Sequence, residues 1–439
     1  MRTGHGNRWF VFGTFFAFML LHQADMLLIG PLTTPIMETF HIDEAQMGAV
    51  VTGALIVGGI LYPVWGYLYD RYSRPKLLAL ASFMWGSTTW LSALAPTYPL
   101  FVATRASTGI DDASYPGIYS LLADYFAPAV RGRIYGLLQI TSPFGYIVGM
   151  VLATALKDIV GWRGVFYVTG SLGIVVSVVI LLGVRDTARG SSEPELQGVA
   201  MLQERRFDWH TAGRLLRKKS LILLYLQGFF GVFPWNVITY WFFRYLEKGR
   251  GYSSGDVLST MIVAILVLAA GYPLAGALGD RLFCKTIRGR LIVSIVGIVA
   301  GTVLFFITMN VPVTARTTFL VMLAASALFI PFASPNVVST VCDVTLPEVR
   351  STSVAIQNFV ESAGAALSPL IAGLIAVKLD LRTAIVLICT STWAVCALLF
   401  AGAIILVPRD IEAVRAELRL RAQAEQTLLQ PPEKSGSSV

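Results

Sequence analysis

The stretch GYLYDRYSR at positions 66–74 returns as GALGDR at 276–281, and DYFAPAVR at 124–131 returns as DVTLPEVR at 343–350. The later copies begin 210 and 219 residues after the earlier ones, close to half of the 439-residue chain. One pair keeps a glycine followed by an aspartate and an arginine. The other keeps an aspartate, a proline and an arginine at constant spacing. Two independent signatures repeated in the same order predict a chain made of two related halves.

Between these signatures the chain is strongly apolar. Hydrophobic residues make up 55% of it and charged residues only 14%, whereas a soluble domain carries about 25% charged residues. A bilayer core takes ~20 apolar residues per helix. We therefore predict an all-α membrane protein with twelve transmembrane helices in two pseudo-symmetric six-helix bundles. Breaks in the apolar pattern place these helices at 9–37, 46–69, 77–95, 100–125, 134–156, 164–184, 221–246, 257–278, 291–309, 317–341, 352–377 and 383–407.

The longest polar segment divides the chain near its middle. The predicted parts are an N-terminal six-helix bundle at 1–184, a cytoplasmic linker at 185–220, a C-terminal six-helix bundle at 221–407, and a cytoplasmic helix and tail at 408–439. In the last part Ile411, Val414 and Leu418 form an apolar stripe at helical spacing. Glu417 and Arg421 lie four residues apart, a spacing that pairs opposite charges on one helix face.

The net charge of +8 is explained better by membrane topology than by an affinity for nucleic acid. With the N-terminus inside, roughly three quarters of the Lys and Arg residues fall on the side that holds both termini, and cytoplasmic segments collect such residues. We therefore predict a multi-pass protein of the cell inner (cytoplasmic) membrane with both termini in the cytoplasm. Its predicted surroundings are the lipid bilayer, without nucleic acid, and its predicted state is a monomer.

The repeated signatures resemble those of the major facilitator superfamily, above all the G-x3-D-R-x2-R loop after the second helix, and GWR at 161–163 is another recurrent element of that family. The resemblance extends over essentially the whole chain. It implies two bundles around a central cavity that opens to each side in turn. In the loop, Gly66 would allow close helix approach, and Asp70 would cap a neighbouring helix or pair with a basic residue. The implied gating residues are Gly66, Asp70, Arg71, Arg74, Asp280 and Arg281. The alternative is a set of topological charges without a switching role.

The fourth helix carries a more specific resemblance. RASTGIDDASY at 105–115 is similar to the R-x3-G-x-G-E-A-S-Y stretch of Spinster-like lipid transporters, whose first-helix acid is matched by Asp25. The chain departs from that pattern: Asp112 stands where the family has Glu, Asp111 where it has Gly, and Glu361 where a His is usual. Organic-anion:cation symporters share a similar Arg-plus-acid fourth helix, so the resemblance leaves both subfamilies open.

Ionisable side chains inside the hydrocarbon are costly and are functional candidates. On a regular helix Arg105 and Asp112 are nearly eclipsed, while Asp111 points about a third of a turn away. The proton affinity of a buried carboxylate depends on its distance from a guanidinium. Asp25 and Asp112 are therefore the predicted proton carriers beside Arg105, the alternative being a static ion pair that only organises helices. For His22 the pattern favours ordinary packing over a role beside these acids.

Helix seven is the predicted wall of a solute cavity. A proline lies there among aromatic and amide side chains, which is typical of a kinked helix in contact with an amphiphilic solute, although interfacial packing is the alternative. The predicted solute-binding residues are Arg105, Tyr119, Gln227, Trp235, Asn236, Tyr240 and Glu361. In this interpretation Arg105 binds the head group of an amphiphilic anion and the aromatic rings contact its tail. A small carboxylate would use Arg105 alone.

Sequence patterns of enzymes and metal sites are missing from the chain. It has no G-x4-G-K-[ST] loop and no H-E-x2-H pair, and its four cysteines lack the spacing of metal ligands. We therefore predict no enzyme activity, no cofactor and no metal. The predicted function is secondary active transport of a small amphiphilic or anionic organic solute, lysolipid-like in the favoured reading, by alternating access and with proton coupling. An organic-anion/proton symporter and an uncoupled facilitator or lipid exchanger remain as alternatives.

Overall fold

The computed structural model describes residues 5–42, 44–196, 213 and 215–429, and all regular structure in these parts is helical. Nine helical segments there are long and apolar enough to cross a membrane by length and composition. Together with the segments at 5–40, 44–71 and 98–125 they form twelve consecutive spans, numbered here from the N-terminus. The predicted tail at 430–439 and much of the predicted linker lie outside the described residues.

The first six spans form one half of the molecule. Span 1 contains two helices and span 4 contains three. Spans 5 and 6 follow each other directly, with one irregular residue between them. The helices are α1 (His5–Leu27) and α2 (Ile29–Phe40) in span 1, α3 (Glu44–Arg71), α4 (Arg74–Leu94), α5 (Tyr98–Ser107), α6 (Gly109–Asp112) and α7 (Tyr115–Tyr125) in span 4, and α8 (Pro128–Gln139) and α9 (Thr141–Gly183) in spans 5 and 6.

The last six spans form the other half in the same order, and span 10 is interrupted in the middle as span 4 is. The helices are α10 (Lys219–Arg244), α11 (Ser254–Phe283), α12 (Gly289–Asn310), α13 (Arg316–Phe329) and α14 (Ser334–Asp343) in span 10, α15 (Arg350–Lys378) and α16 (Leu381–Leu429).

Span 4 differs from the single regular helix expected from its apolar pattern. The regular helix is interrupted by turns at Thr108 and at Ala113 and Ser114, although Thr108 and Ser114 keep right-handed helical backbone angles. Pro116 contributes to the second break, because it has no N–H to donate to the carbonyl of Asp112. Arg105 and Asp112 nevertheless line one small cavity, in keeping with their predicted common face.

Spans 5 and 6 are separated by a single glycine. Gly161 has φ 68° and ψ 169°, in the positive-φ region that other residues rarely adopt. The next two residues secure the turn: the Arg163 guanidinium lies 4.1 Å from the Trp162 ring centroid and donates to the Ala95 carbonyl at 3.1 Å. The predicted element at 161–163 thus has a local structural basis.

The last helix is longer than predicted. We expected a separate surface helix after Pro408, but α16 continues through this proline, whose missing N–H interrupts only one helix bond. Beyond it, the predicted stripe of Ile411, Val414 and Leu418 is buried, and Arg421 Nε donates to Glu417 at 2.9 Å.

Candidate functional site

A cavity of about 490 Å³ lies between the two halves and is lined by side chains from both. Five of the predicted solute-binding residues line it: Tyr119, Gln227, Trp235, Asn236 and Glu361. The side chain of Tyr240 lies outside the part of the chain that the structure describes. The structure thus places Gln227, Trp235 and Asn236 of helix seven at this cavity, and solute binding by them stays a prediction.

Sequence reasoning missed a second group of lining residues, which are polar or aromatic side chains on otherwise apolar helices. They include Gln23, Tyr62, Tyr115, Gln139, Tyr272, Gln357, Asn358 and Trp393. Isolated amides such as Gln23 and Gln139 inside membrane spans were a usable signal, because an amide facing lipid would leave its hydrogen-bonding groups unsatisfied.

Arg105 lies elsewhere than predicted. Its Nη1 is 3.7 Å from Asp25 Oδ2, and the guanidinium carbon lies 5.3 Å from the centroid of the Phe166 ring. Asp25 also accepts hydrogen bonds from Thr169 at 2.5 Å and from Thr89 at 3.1 Å. Arg105 lines a small separate cavity of about 40 Å³ instead of the central one. Its predicted direct contact with a solute in the central cavity is thus not part of this conformation, because the guanidinium is held at a buried carboxylate behind the cavity wall.

His22 forms a second charged cluster one helical turn from Asp25. Its Nε2 lies 2.6 Å from Asp111 Oδ2 and 3.2 Å from Asp112 Oδ1, and its Nδ1 lies 2.7 Å from the Tyr115 hydroxyl. The expectation of ordinary packing for His22 was therefore wrong, because this part of span 1 lies against the acids of span 4. Asp112 lines a small cavity together with Arg105, in keeping with their predicted common face, while Asp111 contacts His22.

The cluster of His22, Asp111 and Asp112 also has the composition of a cation site. Its possible ligand atoms all lie within 4.8 Å of one another. His22 and Asp111 are, however, already joined by a direct hydrogen bond. The Oδ1 atom of each aspartate has no hydrogen-bond partner among the described residues. The arrangement can take up and release protons without any metal, because one imidazole nitrogen faces two carboxylates.

The two halves meet at the face of the molecule formed by residues 70–74, 124–133, 185–196, 280–290 and 343–352, here called the linker face. Asp70 in the first half accepts hydrogen bonds from the backbone N–H groups of Ser351 at 3.0 Å and Thr352 at 2.6 Å, at the start of α15. Close approach is possible because a side chain at Gly66 would place its Cβ 2.5 Å from the Cβ of Ala355. The predicted capping by Asp70 and close packing at Gly66 are both confirmed.

The second half makes the same contact in the opposite direction. Asp280 accepts hydrogen bonds from the backbone N–H groups of Gly132 at 3.2 Å and Arg133 at 2.8 Å, in α8 of the first half. It also receives Arg290 Nη2 at 2.7 Å. In each half the aspartate of the glycine-containing signature thus binds the two residues that follow the D-x3-P-x2-R signature of the other half.

Arginines and aspartates of the same signatures fill the space between these caps. In the first half Arg74 binds Asp124 at 2.5 Å and Asp186 at 3.2 Å, and Asp124 is also 3.4 Å from Arg350 of the second half. Arg74 therefore belongs to the buried network, as its place among the predicted gating residues required.

The pseudo-symmetric residues of the second half repeat this pattern across the halves. Asp343 binds Arg290 of its own half and lies 3.0 Å from Arg131 of the first half. Arg71 and Arg281, two further predicted gating residues, are both exposed, and Arg71 donates to the Tyr67 hydroxyl at 2.7 Å. Neither arginine takes part in the buried network in this conformation, because the residue after each capping aspartate is exposed while the aspartate is buried, and a gating role for them stays a prediction.

Glu193 of the linker joins the two pseudo-symmetric arginines. Its carboxylate lies 2.6 Å from Arg131 and forms an ion pair with Arg350. Burial alone would raise the pKa of this carboxyl group, but the two guanidinium groups outweigh it and lower the pKa from 4.5 to about 2. No signal in the sequence distinguished Glu193 from the other charges of the linker.

Comparisons with known proteins agree with this architecture. A family model described as Major Facilitator Superfamily matches residues 14–369. The chain is 26% identical to human protein spinster homolog 1 over 384 residues, which make up 82% of this chain and 71% of that protein. It is 23% identical to the sphingosine-1-phosphate transporter SPNS2 of Xenopus tropicalis over 378 residues, 81% of this chain and 71% of that protein.

A shorter match has higher identity. The chain is 33% identical to protein spinster of Drosophila melanogaster over 192 residues, 43% of this chain but only 31% of that protein. The sequence similarity to Spinster proteins is thus broad, and it agrees with the resemblance seen in the fourth helix.

Solved structures share the fold at low identity. The crystal structure of a bacterial homolog to the human lysosomal transporter Spinster, in an inward-facing and occupied conformation, has a TM-score of 0.55 at 18% identity and covers 98% of this chain and 100% of that one. The proton:xylose symporter XylE bound to 6-bromo-6-deoxy-D-glucose has a TM-score of 0.71 at 17% identity and covers 90% of this chain and 96% of that one. The predicted twelve-helix, two-bundle fold is confirmed.

Proposed function

Because this chain belongs to the Major Facilitator Superfamily, we propose that it is a secondary active transporter that moves a lipid-like amphiphilic solute by alternating access, with proton coupling. Proteins of this family and their Spinster relatives are multi-pass membrane transporters, not enzymes. The observation that carries the proposal is the central cavity between two halves whose linker face is closed by reciprocal contacts. Such contacts can break and re-form as the halves rock about the cavity.

A lipid-like solute fits the composition of the cavity. Tyrosine and tryptophan rings from both halves line it beside amide side chains, which suits a molecule with an apolar chain and a polar head. The names of two relatives point to the same class, since they are called Spinster proteins and a sphingosine-1-phosphate transporter.

We assign the linker face to the cytoplasmic side of the cell inner membrane, with both termini there. The support is the excess of Lys and Arg in the segments of this face. In this orientation the structure has its cytoplasmic side closed. Asp70 and Asp280 would then stabilise the outward-facing state and release α15 and α8 during inward opening.

Proton coupling is proposed at the two charged clusters of the first half. Asp25 is the partner of Arg105, whereas Asp112 borders both His22 and the small cavity that Arg105 also lines. Of the two acids, Asp112 is the better proton carrier, because neutralising Asp25 would strand a buried guanidinium at a cost of several kcal/mol.

The test compares Asp112→Asn with Asp25→Asn in reconstituted vesicles, using a fluorescent lysophospholipid as the probe. Asp112→Asn should abolish accumulation driven by a pH gradient but keep exchange at equal concentrations, because the neutral amide imitates a protonated acid. Asp25→Asn should lose both activities. The exposed Asp158→Asn serves as the control and should behave as the unmodified protein. Gradient-driven accumulation that survives in both variants would refute proton coupling and favour an uncoupled lipid exchanger.

A further inference from the structure

The described side chains that line the central cavity include an acidic one but no basic one. Among the described residues that line it there is no Lys, Arg or His, and Glu361 is the one carboxylate. The predicted anion-binding residue Arg105 is committed to Asp25 and lines a different cavity. A solute in the central cavity therefore meets one carboxyl group and no basic side chain among the described residues.

Glu361 is held in place but has no cationic partner among the described residues. Gln357 Nε2, one helical turn earlier, donates to its Oε1 at 2.8 Å. Across the cavity wall, an added Cβ at Gly228 would lie 2.8 Å from the same oxygen, so span 7 leaves room for the carboxylate. Carboxylates at membrane depth are normally paired with a cation, because an isolated buried charge is costly. This one faces a cavity, so a solute can supply the missing partner.

Aromatic rings provide a second reason to expect a cation. Tyr62, Tyr119, Trp235, Tyr272 and Trp393 line the same cavity. The faces of such rings attract ammonium groups, and sites for quaternary ammonium ligands combine several rings with a carboxylate. A negative head group would gain neither interaction here.

We propose that the cavity recognises an ammonium group of the solute at Glu361, so that the transported class is amphiphiles with an amine or quaternary ammonium head. The inference rests on the proposed transport of lipid-like solutes and replaces the predicted head-group contact at Arg105. A lysophospholipid qualifies when its head carries an ammonium group, and a purely anionic one does not.

The experiment measures protein-dependent uptake into liposomes of three lipids with the same acyl chain. Lysophosphatidylcholine carries an ammonium group, lysophosphatidic acid carries only negative charge, and monoacylglycerol is neutral. We expect the unmodified protein to prefer the ammonium lipid by about tenfold, because its quaternary ammonium group has no N–H to donate but is attracted by the carboxylate and by the faces of the aromatic rings. Glu361→Gln keeps the size of the side chain and an acceptor for Gln357, and it should remove this preference.

A second variant separates charge from shape. Asn358 lines the same cavity one helical turn before Glu361, so Glu361→Gln combined with Asn358→Asp returns a carboxylate to the cavity at a shifted position. We expect part of the preference for the ammonium lipid to return. Asp158→Asn removes an exposed carboxylate that is distant in the sequence from Glu361, and it should leave the preference unchanged.

A measurement on the unmodified protein remains decisive if the variants do not fold. Tetraphenylphosphonium and tetraphenylborate have nearly the same size and opposite charge, and only the cation should raise the unfolding temperature of the purified protein. Equal uptake of the choline and phosphatidic lipids, or stabilisation by the anion, would overturn the assignment of Glu361 while leaving lipid transport intact. Absence of uptake for all three lipids, with stabilisation by the cation retained, would instead overturn lipid transport.

Discussion

At the scale of single residues, carboxylates of the same type differ in the groups that face them. Asp70 and Asp280 each accept two backbone N–H groups from the opposite half, and each also lies beside an arginine, so both carboxylates are already occupied by protein groups. Glu361 has one amide donor and an open cavity. The first two residues therefore govern closure of the linker face, whereas the third is available to a ligand.

Asp70→Asn should slow transport more than it weakens solute binding. An amide presents one oxygen and one NH2 group, so one of the two backbone N–H groups at the start of α15 loses its acceptor. Losing a hydrogen bond to a charged group costs about 1.5–3 kcal/mol, enough to shift the conformational equilibrium by roughly tenfold or more.

Calorimetric binding and vesicle uptake on the same preparation check this expectation. Asp280→Asn should give a similar defect, because the backbone contacts of Asp280 with α8 are the pseudo-symmetric counterpart of those of Asp70 with α15. Arg71→Ala, which changes the exposed neighbour of Asp70, should match the unmodified protein. If Asp70→Asn loses affinity yet turns over normally, the gating role is wrong.

At the scale of elements, the end of α16 is docked against the linker face. Val414, Leu418 and Ala422 form a buried cluster with Leu196, and Leu346 packs against it. The contact therefore joins three separate segments of the chain: the last helix, the linker and the loop before α15.

Three ion pairs border this cluster. Arg421 lies 2.9 Å from Glu348, and Arg415 and Arg419 lie 3.6 and 3.9 Å from Glu195. The two pairs of Glu195 involve half-exposed or exposed arginines and contribute at most about 1 kcal/mol each, whereas the Arg421–Glu348 pair is largely buried and adds to the apolar cluster in holding the helix.

Leu418→Ala should loosen the end of α16. The residue is only 2% exposed, and truncating a buried leucine costs about 2–5 kcal/mol where the surroundings do not collapse. Hydrogen exchange should become faster in residues 410–424 and in the short helix Pro194–Leu196. The matched control is Leu420→Ala, whose side chain is 62% exposed and should change exchange little. Unchanged protection in Leu418→Ala would show that the ion pairs alone hold the helix.

At the scale of the whole molecule, the linker contributes to the junction between the halves. Glu193 binds Arg131 of the first half and Arg350 of the second, and each of these arginines also contacts an aspartate of the opposite half. A single carboxylate thus connects two ion-pair networks that the internal repeat produced in duplicate. Opening of the linker face has to break this connection along with the two caps.

The stabilisation by Glu193 should be independent of pH in the physiological range. Its pKa is lowered from 4.5 to about 2, so its contribution is fully present above pH 4.5 and is lost as the pH falls toward 2. The difference in unfolding temperature between the unmodified protein and Glu193→Gln should be constant from pH 8 to 5 and should shrink below that. The exposed Glu247→Gln provides the baseline. A difference that already changes between pH 7 and 5 would contradict the pairing with both arginines.

The sequence alone determined the architecture of the molecule. Twelve apolar spans follow from the cost of exposing polar backbone to lipid, and the duplicated signatures predicted two halves. The roles of Asp70 and Gly66 were predicted from the resemblance of their loop to that of the superfamily, since the partners of Asp70 lie 281 and 282 residues away in the sequence. The cavity wall on span 7 was visible in its amides and aromatic rings.

Only the tertiary structure decided which charges meet. His22 reaches Asp111 because span 1 lies against this part of span 4, and directions counted along one helix do not say which helix is its neighbour. Arg105 turns to Asp25 instead of the central cavity, and Glu193 finds its arginines across more than 60 and 150 residues of chain. These pairings depend on the packing of segments that are distant in the sequence. A buried charge in a low dielectric needs a partner, but the linear order of residues does not say which opposite charge lies near it.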